Sequence, residues 1–330
     1  MEITTSLDAR IDTDQLRAWV EGYSFGRYGE DASLPARGAQ VLRWREVEGL
    51  LARTEHRRIV ASSASGEPLG ALLFRLSAWD TDHFGFPYAI VDRAITGDLP
   101  YEHKLATVIA LFRRFDDWCR ASNIRFVSMR APASDLAIVH ALERSGFDYI
   151  ESWVYNTFTL KHLGAPPAGT SELRLAGPAD CDHMVRWSAG AFATQRFHAD
   201  HRFDRDKAES VYAKWIRTSF ADPGQQVLAL DIDGAPAAFM VYSKSDLSDL
   251  LGAKFAMWKL AVVNPSQRGR GLGAEFFTAL LHHHRKEGLD VVESGVSIRN
   301  LASLNLHNKM RFKILSTILT FHRWLEPQHR

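Results

Sequence analysis

A glycine-rich loop with two arginines is the segment of this sequence whose chemistry is easiest to read. It runs from Arg268 to Gly273 (RGRGLG), after an apolar stretch that ends at Val263 and before an amphipathic stretch. The first backbone N–H groups of a helix have no intrahelical acceptor, and with the helix dipole they bind phosphate. Glycines allow close approach, and arginines add positive charge. The loop therefore predicts a phosphate or pyrophosphate site, against the alternative of a plain strand-to-helix turn.

A dinucleotide is one ligand that this loop could hold. Residues Gly269–Ala274 satisfy the pattern G-x-G-x-x-A, and Glu293 follows about 20 residues later, where a ribose-binding acid belongs. Two observations oppose it. Residues 264–268 separate the apolar strand from the glycines, and the chain after Gly273 is too short for the sheet that normally follows. Dinucleotide binding is thus the weaker of two interpretations.

Two stretches together resemble the motifs of the GNAT acyltransferase superfamily. The glycine loop, with Leu260-Ala261-Val262 before it, resembles the acyl-CoA pyrophosphate motif R-x-x-G-x-G. Residues 300–312 (NLASLNLHNKMRF) resemble the second motif, N-x-x-A-x-x-L-Y-x-K-x-G-F. His307 replaces the usual tyrosine of that motif, and Arg311 replaces its glycine. The resemblance implies an α/β fold in which helices flank a mixed, mostly antiparallel sheet, and acetyl-CoA or another acyl-CoA as cosubstrate.

The resemblance also implies which residues meet the acyl-CoA. A strand that splays from its neighbour offers backbone amides to the thioester, and the glycine loop holds the pyrophosphate. The cofactor-binding residues expected on this basis are Leu260, Ala261, Val262, Val263, Arg268, Gly269, Arg270, Gly271, Leu272, Gly273 and Asn300. Asn300 either orients the cosubstrate or caps its helix.

Direct transfer from thioester to amine is the mechanism that the resemblance implies, and it needs no side-chain nucleophile. Proximity alone can supply about 7–11 kcal/mol of such a barrier. His307 is the candidate general acid for the departing thiolate, because imidazole titrates at about pH 6.5. Glu293 is the candidate general base acting through water. The alternatives are a helix histidine without a catalytic role and a solvated strand carboxylate.

Short stretches of the chain are similar to a two-domain GNAT group that acetylates dTDP-fucosamine, a nucleotide-linked amino sugar. They are Arg196-Phe197, residues 211–216 (VYAKWI) and residues 79–87 (WDTDHFGFP). The alternative for residues 211–216 is the buried face of a helix, and the alternative for residues 79–87 is a turn packed by aromatic side chains. The nearby loop supplies His198, Asp200 and His201 as candidate substrate-binding residues, or as solvated loop residues.

N-acetylation of an amino sugar is therefore the expected function. Another small amine, such as an aminoglycoside or an amino-acid-like metabolite, is the alternative acceptor. A non-catalytic acyl-CoA sensor is the alternative class, since the departures at His307 and Arg311 could mark lost catalysis.

The elements that must position these residues occur twice in the chain. A shift of 165 residues carries Phe126-Val127 onto Val291-Val292 and Phe147 onto Phe312, without a gap. The stretch 165–169 (APPAG) reads as a linker. We therefore predict a degenerate GNAT-like domain over residues 1–165, without a glycine loop, and a catalytic acyl-CoA-binding domain over residues 170–330.

Net charge and short sequence features bear on the partners, the location and the metal content of the protein. The 330 residues carry a net charge of +1, which gives no support for nucleic acid or for an acidic membrane surface as a partner. The N-terminus lacks the features of a signal peptide, so a cytoplasmic location is expected, with the oligomeric state left open. Consecutive histidines at 282–284 point about 100° apart on a helix and form a polar face rather than a metal site, so no metal is expected.

Overall fold

The computed structural model describes residues 2–25, 28, 34–169 and 171–326, which form two compact units. The first unit comprises Met1–Ser152 and Ser316–Arg330, and the second comprises Trp153–Leu315. The stretch predicted as a linker, residues 165–169, lies within the second unit. The division into a degenerate domain over 1–165 and a catalytic domain over 170–330 stays a prediction about function.

The first unit is built on a mixed sheet with the strand order β1-β2-β3-β4-β5-β12. Its pairs are antiparallel except for β4 and β5, which run parallel. The strands are β1 (Ile3–Leu7), β2 (His56–Ser63), β3 (Pro68–Leu76), β4 (Tyr88–Thr96), β5 (Phe126–Pro132) and most of β12 (Lys313–Trp324). The helices are α1 (Thr13–Gly22), α2 (Ala36–Leu51), α3 (Ala78–Phe84), α4 (Tyr101–Ala121) and α5 (Leu136–Arg144).

The second unit repeats this plan with the order β6-β11-β10-β9-β8-β7, and its parallel pair is β10 with β11. Its strands are most of β6 (Asp148–Thr159), β7 (Leu173–Leu175), β8 (Gln226–Ile232), β9 (Ala235–Leu247), β10 (Ala253–Val263) and β11 (Val291–Ser297). Its helices are α6 (Cys181–Ser188), α7 (Arg196–Ala199), α8 (Arg205–Ala221), α9 (Ser248–Leu251), α10 (Leu272–Lys286) and α11 (Leu301–Lys309). The predicted α/β class, with a mixed and mostly antiparallel sheet, is confirmed.

Each sheet takes its last strand from the other half of the sequence. Strand β6, from the N-terminal half, pairs with β11 in the second unit, and β12 pairs with β5 in the first. The apolar side chains of these strands explain the fit. Phe321 of β12 belongs to the core of the first unit, whereas Phe158 of β6 packs against the core of the second. The sequence pattern places each of these strands with its own half, and the exchange is a finding of the structure.

The backbone supports the internal repeat. Asn123 and Gly288, which the repeat places at equivalent positions, both adopt a positive φ after the long helix of their unit. Gly146 and Arg311 are related by the same shift, with φ of 76° and 61°. The two units therefore share backbone geometry at equivalent positions, although few of the equivalent residues are identical.

Arg311 occupies a backbone conformation that favours glycine, which explains the glycine of the family motif. A left-handed conformation costs a residue with a side chain about 1–2 kcal/mol. We expect Arg311→Gly to raise the free energy of unfolding by about 1 kcal/mol, measured by urea denaturation. Gly146→Arg in the first unit is the matched reverse change and should lower it by a similar amount. Equal stabilities for wild type and Arg311→Gly would contradict this account.

Helix α10 packs its apolar face on the sheet of the second unit. Phe276, Phe277, Leu280 and Leu281 are all buried in one core cluster, as the spacing predicts.

Across the described part of the chain, every helix is too short or too polar to cross a membrane.

Candidate active site

The parallel strands β10 and β11 part within the second unit and form a fork. Their registered pairing runs from Phe255–Val291 to Trp258–Ser294, while β10 continues along β9 as far as Val263. A register shift between Trp258 and Leu260 marks a β-bulge, which bends a strand and re-aims its backbone. The stretch Leu260–Val263 therefore lies beyond the last registered pair, where its backbone groups on the fork side can meet a ligand.

The glycine loop connects the fork to helix α10. Gly269 and Gly271 adopt φ of 79° and 82°, and Gly271 is the N-cap residue without a side-chain hydrogen bond to the helix. A Cβ atom built at either glycine would meet no atom within 4 Å, so the space above the loop is open. The uncapped helix start and this open space fit a phosphate group.

Two arginines surround the loop with positive charge. Arg268 and Arg270 are exposed, and the Arg268 Nε donates to the carbonyl of Val263 at 3.3 Å. A pyrophosphate bound at the helix start would lie among these guanidinium groups. The predicted cradle thus fits the acyl-CoA pyrophosphate in its backbone and in its charge.

Asn300 caps helix α11. Its Oδ1 accepts a hydrogen bond from the backbone N–H of Ser303 at 3.1 Å. Asp135, at the equivalent position of the first unit, caps α5 in the same way through Ile138. Of the two roles open to Asn300 from sequence, the capping bond is present, and a contact with acyl-CoA stays a prediction.

His307 is 2% exposed and makes two hydrogen bonds. Its Nδ1 lies 2.8 Å from the carbonyl of Ser303, and its Nε2 lies 2.9 Å from the Ser294 hydroxyl. A carbonyl only accepts, so Nδ1 carries a proton, and in the neutral ring Nε2 accepts from the Ser294 hydroxyl. Burial lowers the pKa of His307. The neutral ring presents no proton on Nε2, so the general-acid role stays a prediction that this geometry does not favour.

Glu293 is 3% exposed within β11, which replaces the alternative of a solvated carboxylate. It lies opposite Met257 of β10 and Thr157 of β6. Successive side chains of a strand point to opposite faces, so Glu293 and Ser294 face opposite sides of the sheet. The two catalytic candidates, Glu293 and His307, are therefore on different faces of β11.

The segment that carries the candidate substrate-binding residues His198, Asp200 and His201 lies near the end of β11. The Ser297 hydroxyl donates a hydrogen bond to the carbonyl of Thr194, just before this segment, at 3.4 Å. His198 is mostly buried, with Nε2 3.0 Å from a Glu209 carboxylate oxygen. Asp200 is 2% exposed and pairs with Arg202. The structure thus corrects the solvated-loop alternative for His198 and Asp200. It leaves His201 exposed.

A residue that the sequence interpretation missed is His284. Its ring is fully buried, and its Nε2 accepts the indole N–H of Trp258 at 2.9 Å. The interpretation of residues 282–284 as one polar face is wrong at this position. The signal was present, because His284 continues the apolar spacing of Phe277, Leu280 and Leu281. Within the described ranges, no three His, Cys, Asp or Glu side chains are grouped so as to hold a metal ion.

Acid should weaken the fold through the two buried histidines. Burial lowers the pKa of His284 and of His307 below the ordinary value of 6.5, so the unfolded chain binds protons first as the pH falls. The stability that the neutral rings contribute is complete above pH 6.5 and is lost towards their folded pKa values. Each histidine can contribute up to about 1.4 kcal/mol per pH unit in that window. Urea denaturation at pH 7.5 and 5.5 should show the loss, and His284→Gln should reduce it. A pH-independent stability would contradict the prediction.

The corresponding place in the first unit is built differently. Four residues, 97–100, join β4 to α4, and the Lys104 ammonium forms a 2.7 Å ion pair with the buried Asp135. Tyr23 donates to the same carboxylate at 2.7 Å. These side chains border a cavity of about 610 Å³. An ion pair between Lys104 and Asp135 thus lies where the second unit has its open glycine loop, and the degeneracy of the first unit stays a prediction.

Comparison with known proteins adds relatives to this geometry. Residues 190–312 match the model of the acetyltransferase (GNAT) family. The spore coat polysaccharide biosynthesis protein SpsD of Bacillus subtilis (strain 168) is 18% identical over 77% of this chain and 84% of its own. The L-amino acid N-acyltransferase MnaT of Escherichia coli (strain K12) is 25% identical over 47% of this chain and 88% of its own.

A solved structure shares the two-unit fold. The tandem GNAT protein from the clavulanic acid biosynthesis pathway superposes with a TM-score of 0.54 at 16% identity, over 99% of this chain and 100% of its own. The second unit contains the fork, the glycine loop and the family match, and the two units together have the fold of a tandem GNAT protein. Residues 190–312 therefore carry a GNAT acetyltransferase domain, within a chain whose two-unit fold is similar to that of a tandem GNAT protein.

Proposed function

We propose that the second unit binds acetyl-CoA across the fork and the glycine loop, and transfers its acetyl group to the amino group of a nucleotide-linked amino sugar. The observation that carries this proposal is the parting of β10 from β11 directly beside an uncapped, glycine-lined helix start. The place for a thioester and the place for its pyrophosphate are thus joined by one short loop.

The choice of an amino sugar is supported by how much of the chain each relative spans. SpsD, named for polysaccharide biosynthesis, spans 77% of this chain, whereas MnaT, named for L-amino acids, spans 47%. A relative that spans most of the chain bears more directly on the acceptor of a two-unit protein. The smaller relatives support an amino-acid-like amine as the second candidate acceptor.

Backbone groups do most of the binding in this proposal. The amides at the start of α10, with Arg268 and Arg270, hold the pyrophosphate. Amides of the stretch Leu260–Val263 hold the acyl carbonyl and stabilise the negative charge that develops on its oxygen. Fixed donors of this kind need no reorganisation as the amine attacks, so positioning supplies much of the rate.

Proton transfer is assigned to Glu293. The attacking amine must lose a proton, and Glu293 accepts it through a water molecule. The neutral amine then attacks the carbonyl carbon and the C–N bond forms. The nitrogen releases its second proton to solvent, and the C–S bond breaks to release CoA as the thiolate. Because His307 is neutral and buried, we infer that water protonates the thiolate, and that His307 keeps a supporting position.

His307→Ala tests whether the His307 ring contributes to turnover. We expect kcat to fall by about tenfold while the Kd for acetyl-CoA stays nearly unchanged, because the ring holds Ser294 rather than the cosubstrate. His307→Tyr should recover part of the loss, since its hydroxyl can bond Ser294. Steady-state rates of thiol release measure both. An unaltered kcat in His307→Ala would remove any role for the ring in turnover.

Binding and turnover distinguish the remaining functions. Acetyl-CoA at about 100 times its Kd should add about 2.7 kcal/mol of apparent stability, and NAD should add none. A response to NAD alone would contradict an acyl-CoA site. Thiol release across a panel of dTDP-amino sugars, aminoglycosides and L-amino acids then identifies the acceptor class. Binding without release by any amine would favour the sensor alternative.

A further inference from the structure

Two buried histidines lie beside the strands that form the fork, one for each strand. Trp258 donates its indole N–H to Nε2 of His284 at 2.9 Å. The Ser294 hydroxyl lies 2.9 Å from Nε2 of His307. Trp258 and Ser294 are the last registered pair of β10 and β11. Each strand is therefore held by a histidine at the residue after which the strands part.

The hydrogen bond from Trp258 requires a neutral His284 ring, whereas the Ser294 hydroxyl can donate to a neutral His307 or accept from a protonated one. An indole N–H only donates, so Nε2 of His284 accepts and its proton is on Nδ1, 3.4 Å from a Glu287 oxygen. The neutral His307 ring donates from Nδ1 to the Ser303 carbonyl and accepts from Ser294. Protonation of His284 would set its new N–H against the N–H of Trp258.

The first unit shows that this fold does not need the two histidines. Its corresponding parallel pair ends at Val91–Met129, and the shift that relates the two halves places Met129 at Ser294. The same shift places Cys119 at His284 and Leu142 at His307. All four side chains of the first unit are buried in one apolar core cluster. The polar arrangement occurs in the unit that carries the glycine loop.

We propose that the pairs His284–Trp258 and His307–Ser294 form a histidine clamp that fixes where β10 and β11 part, and so holds the β10 amides at the thioester carbonyl. The inference rests on the proposed function of the fork. Helix α10 begins at the glycine loop and carries His284, so the clamp also ties the pyrophosphate site to the carbonyl site. A displacement of about 1 Å at such a place can cost about 100-fold in rate.

Burial lowers the pKa of both rings of the clamp, and the Glu287 carboxylate opposes this effect at His284. Beside His284 are Glu287 on its own helix and the Tyr242 ring on β9. Glu287 also contacts His283 and Lys244, so its charge is shared with other partners. The rings of Phe277 and Phe312 flank His307, and its hydrogen-bond partners Ser294 and Ser303 are uncharged. Acid should therefore open the clamp first at the Trp258 bond.

Variants of the two histidines distinguish a role in positioning the two strands of the fork from a role in core packing. His284→Leu and His307→Leu remove the acceptors, whereas His284→Gln and His307→Gln keep an acceptor near the place of Nε2 that does not titrate. His282→Leu, on the same helix and only partly buried, is the matched control. Calorimetric titration gives the Kd for acetyl-CoA, and the 13C resonance of bound [1-13C]acetyl-CoA reports the hydrogen bonding of its carbonyl.

We expect the Leu variants to bind acetyl-CoA within about threefold of wild type, yet to lose at least half of the carbonyl shift and about 10- to 100-fold in kcat. The Gln variants should keep most of both. Between pH 7 and 5.5 the wild type should lose carbonyl shift, and the double Gln variant should keep it. The control His282→Leu should match wild type.

Each outcome decides between the proposals. A wild type that binds no acetyl-CoA overturns the proposed function and the clamp with it. Binding with the same carbonyl shift in folded Leu variants overturns the clamp alone. If the Leu variants do not fold, the acid profile decides: identical profiles for wild type and the double Gln variant overturn the clamp, and a flat profile for the latter supports it.

Discussion

Gly271→Val is expected to weaken acetyl-CoA binding by at least about 100-fold. Gly271 adopts φ of 82° at the N-cap of α10, a conformation that a β-branched residue rarely reaches, and the space beside it is open. Valine would shift the loop backbone and place two methyl groups where we propose the pyrophosphate. Loss of the charge-assisted bonds to several amides accounts for about 3 kcal/mol or more. Calorimetric titration with acetyl-CoA measures the change.

Backbone strain is the other effect of this substitution, and Gly288→Val controls for it. Gly288 follows the opposite end of α10, has φ of 75°, and also has open space beside its Cα. The two variants should lose similar stability in urea denaturation, while Gly288→Val retains the wild-type Kd. Equal affinities in both variants would contradict the assignment of the loop to acetyl-CoA.

Glu293→Gln is expected to lower kcat by about 100- to 10,000-fold, the range that general-base catalysis contributes. Glutamine keeps the size and hydrogen-bonding capacity of a side chain that is 3% exposed in the middle of β11, so the strand should keep its register. The amide cannot take the proton of the amine. Thiol release with the best acceptor of the panel measures kcat, and the Kd for acetyl-CoA should change little.

The loss of one negative charge is controlled by Glu172→Gln, on the surface of the same unit. That variant should retain the wild-type kcat. Raising the pH should partly restore Glu293→Gln, because more of the amine is then already neutral. A kcat for Glu293→Gln within about twofold of wild type would show that the amine loses its proton elsewhere, and His198 beside Glu209 would be the next side chain to test.

The glycine loop and the helix after it could be predicted because their signals are local. Positive φ at Gly269 and Gly271 and the buried face of α10 follow from residue types within about one helix length. The repeat was visible for the same reason, since helix and strand order is a local pattern. Its backbone evidence, including the shared left-handed positions Gly146 and Arg311, required the structure.

The exchanged strands were beyond sequence reasoning. The apolar pattern of β6 or β12 suits either sheet, and the chain order alone favours pairing within each half. Which sheet a strand joins depends on whether side chains such as Phe158 and Phe321 meet a core that is distant in sequence. Pattern specifies that a strand forms, and tertiary packing specifies its partner.

The sequence by itself determined the place of the proposed phosphate cradle, because backbone conformation and helix amphipathicity are properties of neighbouring residues, and its resemblance to the GNAT motifs implied the fold class. Only the tertiary structure decided the protonation of the two histidines and the burial of Glu293. Burial lowers the pKa of His307 even though its bond to the Ser303 carbonyl raises it, and the bond from Trp258 requires that Nε2 of His284 carry no proton. Burial and hydrogen-bond partners set the protonation of a side chain, and both come from residues that the chain brings together only on folding.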